Sequence, residues 1–187
     1  MTDITNVVAS QRILAHLHEG RLVQGAWHRE QDGRELACVL GAISPRIRSA
    51  SACPASVMPE WLAVLVVSLF DGQTEADAMA WAARFGAQMA QWHRLDDAAW
   101  SRVRSRFCDS CAADAADAAA YAAADAADAA DAAAYAAADA AAAVVAADAA
   151  DAADAAAAAA AAAREACAAR LGTALCDLID AELEAVK

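Results

Sequence analysis

Cys108-x-x-Cys111 is the spacing in this chain closest to a metal ligand set. Two thiolates one helical turn apart can share a tetrahedral ion, but a structural site needs four ligands and no second CxxC or close His pair accompanies this one. The expectation is therefore no metal, with the two cysteines as ordinary buried thiols. His16-x-His18 places its rings two residues apart, which on a helix points them to different sides. His93 follows Trp92 at a helix end, where a cationic ring caps carbonyl groups. No GxSxG, phosphate-binding loop, glycine-rich dinucleotide turn or HExxH occurs. No catalytic constellation is read, so the chain is expected to be non-enzymatic and to carry no cofactor.

The remaining chemistry-bearing pattern is acidic. Residues 112–163 consist of 39 Ala, nine Asp, two Tyr and two Val. Within them Asp114, Asp117, Tyr121 and Asp125 recur fourteen residues later as Asp128, Asp131, Tyr135 and Asp139. Fourteen residues are two heptads, so the set keeps its register along a helix. At about 100° per residue the eight positions fall within an arc of roughly 120°. One face is an acidic stripe with two phenols, backed by alanine. Asp148, Asp151 and Asp154 leave that register and drift round the helix.

Three uses of the stripe follow from physics. Aspartates keep an alanine helix soluble, and that alone accounts for them. Alternatively, carboxylates every few ångströms along a rod imitate a phosphate backbone, with Tyr121 and Tyr135 supplying the flat apolar contacts that bases would make. The third use is self-association, because a long bare alanine surface is an association hazard in water.

Positioning such a stripe requires a helix. Alanine is the best helix former and the tract has no Gly or Pro, so helix is expected throughout it and on to Gly172. Alanine buries little area, and a packed alanine face gains little at about 25 cal/mol per Å². Small side chains let helices approach closely instead. The long Ala/Asp-rich helix is thus expected to pack as a hairpin, a bundle or an oligomer, with the stripe outward. The tail RLGTALCDLIDAELEAVK regains leucine and isoleucine at helical spacing and should pack on something.

Upstream, residues 3–19 read as an amphipathic helix stopped by Gly20. Arg21 to Arg29 is read as extended, and Asp32-Gly33 as a hairpin turn. RELACVLGAI (34–43) has the look of a short buried helix. Pro59 to Phe70 reads as a core helix, apolar around nearly its whole circumference. Thr74 caps the next helix, on which Trp81, Phe85 and Met89 lead to Trp92 in one aromatic stripe, read as core. Asp96 or Asp97 caps a further helix through Trp100, Val103 and Phe107.

The charge divides the 187 residues in the same place. Residues 1–108 hold 11 Arg against 11 Asp/Glu, whereas residues 109–187 hold three Lys/Arg against 15 Asp/Glu and carry the whole net charge of −12. The reading is an all-α protein of two parts: a charge-neutral helical module (1–108) and an acidic Ala-rich region (109–187). A basic protein surface is the favoured partner, and direct binding to nucleic acid is disfavoured. No secretory signal is read at the N-terminus, and the most apolar segment, Trp61 to Phe70, is too short to span a bilayer. The expectation is a cytoplasmic protein with reduced cysteines and no membrane association.

The blocks DGRELACVLGAI (32–43) and CPASVMPEWLA (53–63), followed by Trp92-His93-x-Leu95 and DDAAW, resemble a family of uncharacterised small proteins encoded by bacteriophages and prophages, over roughly residues 10–107. The resemblance implies a mobile-element setting and a helical core with an alanine-rich tail, and supplies no catalytic residues. The repetitive half is also similar to alanine-rich bacteriocin immunity proteins. Three functional expectations follow. The first is an inhibitor of a host nucleic-acid-directed defence, such as a CRISPR effector, acting as an acidic decoy. The second is an oligomeric scaffold or immunity-type protein. The third is a binder of a small molecule or nucleotide signal, using groups such as Trp27, His28, Arg34 and Trp61.

Overall fold

The computed structural model describes residues 4–115 and 145–186, with only the backbone described in 145–155. The fold is mostly helical. Helix α1 spans Asn6–His18, and its first turn is capped by Thr5, whose Oγ1 accepts from the Val8 N–H at 3.3 Å. A two-stranded antiparallel sheet follows, β1 (His28–Gln31) and β2 (Arg34–Ala37), paired from His28 opposite Ala37 to Gln31 opposite Arg34. Asp32 and Gly33 both adopt positive φ, 53° and 71°, the geometry of a two-residue turn whose twist matches the strands.

The small sheet is the expected hairpin within a mostly helical fold, and it corrects one sequence expectation: residues 34–43 are not a helix. The Ala37 N–H donates to Arg21 O and its carbonyl accepts from Val23 N, both at 3.0 Å. That pairing, with the hairpin, claims the backbone groups a helix would need. Only Gly41–Ile43 forms a single 3-10 turn. The apolar run is buried as expected, with Cys38, Val39, Leu40 and Ile43 all in the core.

Helix α2 (Glu60–Asp71) buries Leu62, Ala63, Val66, Leu69 and Phe70. Its apolar circumference is not fully covered, since Val64 is 55% exposed. Helix α3 (Glu75–Met89) starts at Thr74, which accepts from the Asp77 N–H at 3.2 Å and donates to the Asp77 carboxylate at 2.8 Å. After a 3-10 turn at Trp92–Arg94, helix α4 runs over the described residues 97–115, with Asp96 Oδ1 accepting from the Ala99 N–H at 2.7 Å. Between the expected caps, Asp96 is the one that serves.

The aromatic stripe is core, and it reaches further than spacing alone indicates. Rings follow one another from Phe70 to Trp81 (6.4 Å), Phe85 (4.6 Å), Trp92 (5.0 Å), Trp100 (5.2 Å) and Trp61 (6.4 Å). The series links α2, α3 and α4 through edge and stacked contacts that add to area burial.

Helix α5 (Val145–Ala185) is 41 residues long, about 60 Å at 1.5 Å per residue. It passes straight through Gly172, where a stop was expected. A Cβ there would lie 3.0 Å from Trp81 Cδ1 and 3.1 Å from its Nε1, so the glycine makes room for an indole. Beyond it, Leu175, Cys176, Ile179 and Leu183 are buried in the same core as residues of α1, α2, α3 and α4. The expectation that the tail packs on something is met by this module's own core.

Candidate functional site

The described polar chemistry concentrates where α5 meets α3 and α4. On α3, the Arg84 guanidinium reaches Asp177 at 2.6 Å and Asp180 at 2.7 Å. These two carboxylates hold Arg84 still more firmly in its charged form. Gln88 donates to Cys176 O at 2.9 Å, and Trp81 Nε1 to Gly172 O at 3.0 Å. Arg94 donates to Leu183 O at 3.1 Å. From α4, Arg102 donates to both oxygens of Glu182, with the shortest contact 2.7 Å, and Arg106 lies 3.7 Å away. Glu182 is only 4% exposed, and hydrogen bonding to Arg102 holds its carboxyl below the usual range.

Hydrogen-bonding from a planar guanidinium to both carboxylate oxygens fixes orientation as well as charge. The docked end of α5 is thus registered by paired groups 80 to 96 residues apart in sequence. Sequence spacing did not reveal these pairs, because each half looks like an ordinary solvated helix face. The available signal was complementary: Arg102 and Arg106 four apart on α4, which meet Glu182, and Asp177 and Asp180 three apart on α5, which meet Arg84.

One stripe residue is described. Asp114 is half-buried and turned toward α5, its Oδ2 3.4 Å from Arg170 Nη2 and 3.4 Å from Cys167 Sγ. The other seven, Asp117, Tyr121, Asp125, Asp128, Asp131, Tyr135 and Asp139, lie outside the described residues.

All six cysteines are free thiols. Cys108 is exposed rather than buried, and Cys111 is half-buried against the core. Burial pushes the Cys53 thiol up to about 11 and Cys176 to about 12. Among the described residues no group of three His, Cys, Asp or Glu side chains is arranged to hold a metal ion.

The histidines take structural partners. His16 Nδ1 meets Arg12 O at 2.9 Å and its Nε2 meets Arg21 at 3.2 Å, and burial lowers its pKa. His93 Nδ1 lies 3.1 Å from Ala90 O, the carbonyl-capping position expected of it. His28 sits between Ile47 O (3.0 Å) and Glu35 (3.1 Å), on the wall of an open concavity of about 370 Å³ with Arg29, Glu30, Gly33, Glu35 and Arg48. Trp27, Arg34 and Trp61 are not on that wall. Arg34 donates to Glu19 O at 2.6 Å, and Trp61 packs its ring against Trp100. Of the four groups suggested for a small-molecule pocket, His28 alone lines this concavity.

Among the described residues no helix is long and apolar enough to cross a membrane. No protein-family model matches the chain, and no match to it was found among curated proteins or solved structures.

Proposed function

We propose that this is a non-enzymatic binding protein in which residues 1–108 form a base and the Ala/Asp-rich tract is an acidic element addressed to a basic protein surface. In this reading the tract mimics a nucleic-acid backbone and occupies the groove of a nucleic-acid-directed defence enzyme of the host, such as a CRISPR effector. Arg102 meeting Glu182 and Asp114 meeting Arg170 run in opposite directions along α4 and α5, which supports an antiparallel hairpin as the packing mode.

The observation that carries the proposal is how acid and cation are distributed along the chain. Asp177, Asp180 and Glu182, on the docked end, lie against Arg84, Arg102 and Arg106, while Asp114 lies against Arg170. Residues 115–163 then contain eight Asp and no Arg, Lys or His. The excess charge is concentrated in a stretch with no cation of its own, so it is available to attract one from outside.

The test is affinity for a basic nucleic-acid-binding enzyme of the host, measured at low and high salt, with Asp117, Asp125, Asp128, Asp131 and Asp139 replaced together by Asn. Binding that weakens steeply with salt and is lost in the variant supports the decoy. Binding that survives all five replacements removes it.

A second reading, an assembly through alanine faces, is favoured by one feature. Residues 156–160 of α5 are exposed alanines with no polar side chain among them. Light scattering at tens of micromolar separates the two, because a monomer excludes the scaffold.

A further inference from the structure

We propose that Cys111 of α4 and Cys167 of α5 form a reversible disulfide with low-molecular-weight disulfides such as oxidised glutathione, stapling the two helices where the alanine tract leaves the module.

The geometry begins with Asp114. Its carboxylate lies 3.4 Å from Cys167 Sγ, so α4 and α5 are in side-chain contact at this level. Helical side chains lean toward the N-terminus and cover the preceding turn, which for Asp114 is the turn of Cys111. Residues three apart on a helix have Cβ atoms about 5–6 Å apart. The Cys167 thiol also lies within electrostatic reach of Cys111, whose own side chain is packed inward on the core. Only alanine flanks the two positions toward the tract and around Cys167: Ala112, Ala113, Ala166 and Ala168. Helix axes lined by such small side chains approach to the short end of the usual 8–10 Å, as a disulfide's Cα separation demands.

The reaction balances without further components. One protein thiolate attacks the disulfide of oxidised glutathione, whose S–S bond breaks to release a glutathione thiolate and leave a mixed disulfide on the protein. The second protein thiolate attacks the protein sulfur of that mixed disulfide and expels the second glutathione. Two protein thiols are oxidised by two electrons, one glutathione disulfide is reduced to two glutathione molecules, and the two thiol protons pass to them. Burial, and for Cys167 the Asp114 carboxylate, push both thiols above the ordinary range. Closure accordingly runs faster at alkaline than at neutral pH.

The test is incubation of the full chain with glutathione disulfide at alkaline pH, then blocking of free thiols and non-reducing tryptic mass mapping. Cleavage after Arg106, Arg164 and Arg170 separates Cys167 from Cys108 and Cys111. The expected result is a peptide of residues 107–164 joined to 165–170, formed equally in Cys108→Ser, abolished in Cys111→Ser and in Cys167→Ser, and reversed by dithiothreitol. Circular dichroism of the reduced variants checks that each remains folded. A cross-link that persists in Cys111→Ser, glutathione adducts without a cross-link, or no oxidation at all would each overturn the assignment.

Discussion

The indole N–H of Trp81 donates to the carbonyl oxygen of Gly172 at 3.0 Å, joining α3 to α5 across 91 residues of sequence. A glycine inside a helix costs about 1 kcal/mol relative to alanine. Here that cost gives the ring access to the α5 backbone, with Trp81 itself 6% exposed.

Replacing this glycine should therefore destabilise despite the gain in helix propensity. Gly172→Val sets a branched side chain against a ring already within 3.0 Å of the Cβ position, and overpacking of this kind costs about 1–3 kcal/mol. Trp81→Ala removes the ring and leaves a cavity, at about 3–5 kcal/mol. Urea denaturation of both variants measures the two effects, and a Gly172→Val protein as stable as the parent would contradict the close approach.

Acid should destabilise the fold in two windows. The folded pKa of Glu182 is depressed by Arg102, so its contribution is present above the unfolded value of about 4.3 and is lost as pH falls through the folded one. His16 is depressed by burial, so its neutral form is favoured in the fold. Its contribution fades as pH falls from about 6.5 toward its folded pKa. Thermal midpoints should decline in both windows. Glu182→Gln should flatten the lower one, and His16→Gln the upper.

The Arg84 pairs should matter less than their short distances suggest. Arg84, Asp177 and Asp180 are 39%, 62% and 46% exposed, and pairs so open to water contribute about 0.2–1 kcal/mol. Arg84→Met should lower stability by no more than that, with the difference shrinking in high salt. A loss several times larger in chemical denaturation would show that the pair orders α5 rather than decorating it.

Thiol accessibility should rank the cysteines. Iodoacetamide at neutral pH should modify exposed Cys108 first, whereas buried Cys38 and Cys176, both raised in pKa by burial, should react only on unfolding. Time-resolved peptide mapping reads the order. Early labelling of Cys176 would mean that α5 detaches from the module in the native state.

The helical elements were legible because each carries local signals: Gly20 as a stop, Thr74 as a cap, and the spacing of Trp81, Phe85, Met89 and Trp92. The hairpin was legible from Asp32-Gly33. The segment after it misled, because RELACVLGAI is apolar enough for a buried helix and only the remote pairing of Ala37 with Arg21 and Val23 decides for strand. Gly172 misled for a similar reason, since its partner Trp81 lies in another element. The ion pairs of α5 were illegible, being relations between helices that the sequence holds 56 to 96 residues apart.

Among the described residues, the ion pairs and hydrogen bonds that hold α5 to the module lie at Cys167 and beyond, and those on α4 lie at Asp114 and before. In sequence the anchoring residues therefore stand on either side of the repeat and draw on it only through Asp114, its first residue. A fourteen-residue unit such as 117–130 adds three carboxylates and one phenol, so duplication or deletion of a copy changes the dose of negative charge without removing any of the residues that make the foundation's contacts. The chain is built so that its reach and its charge can be altered by unequal replication without refolding the part that holds it together.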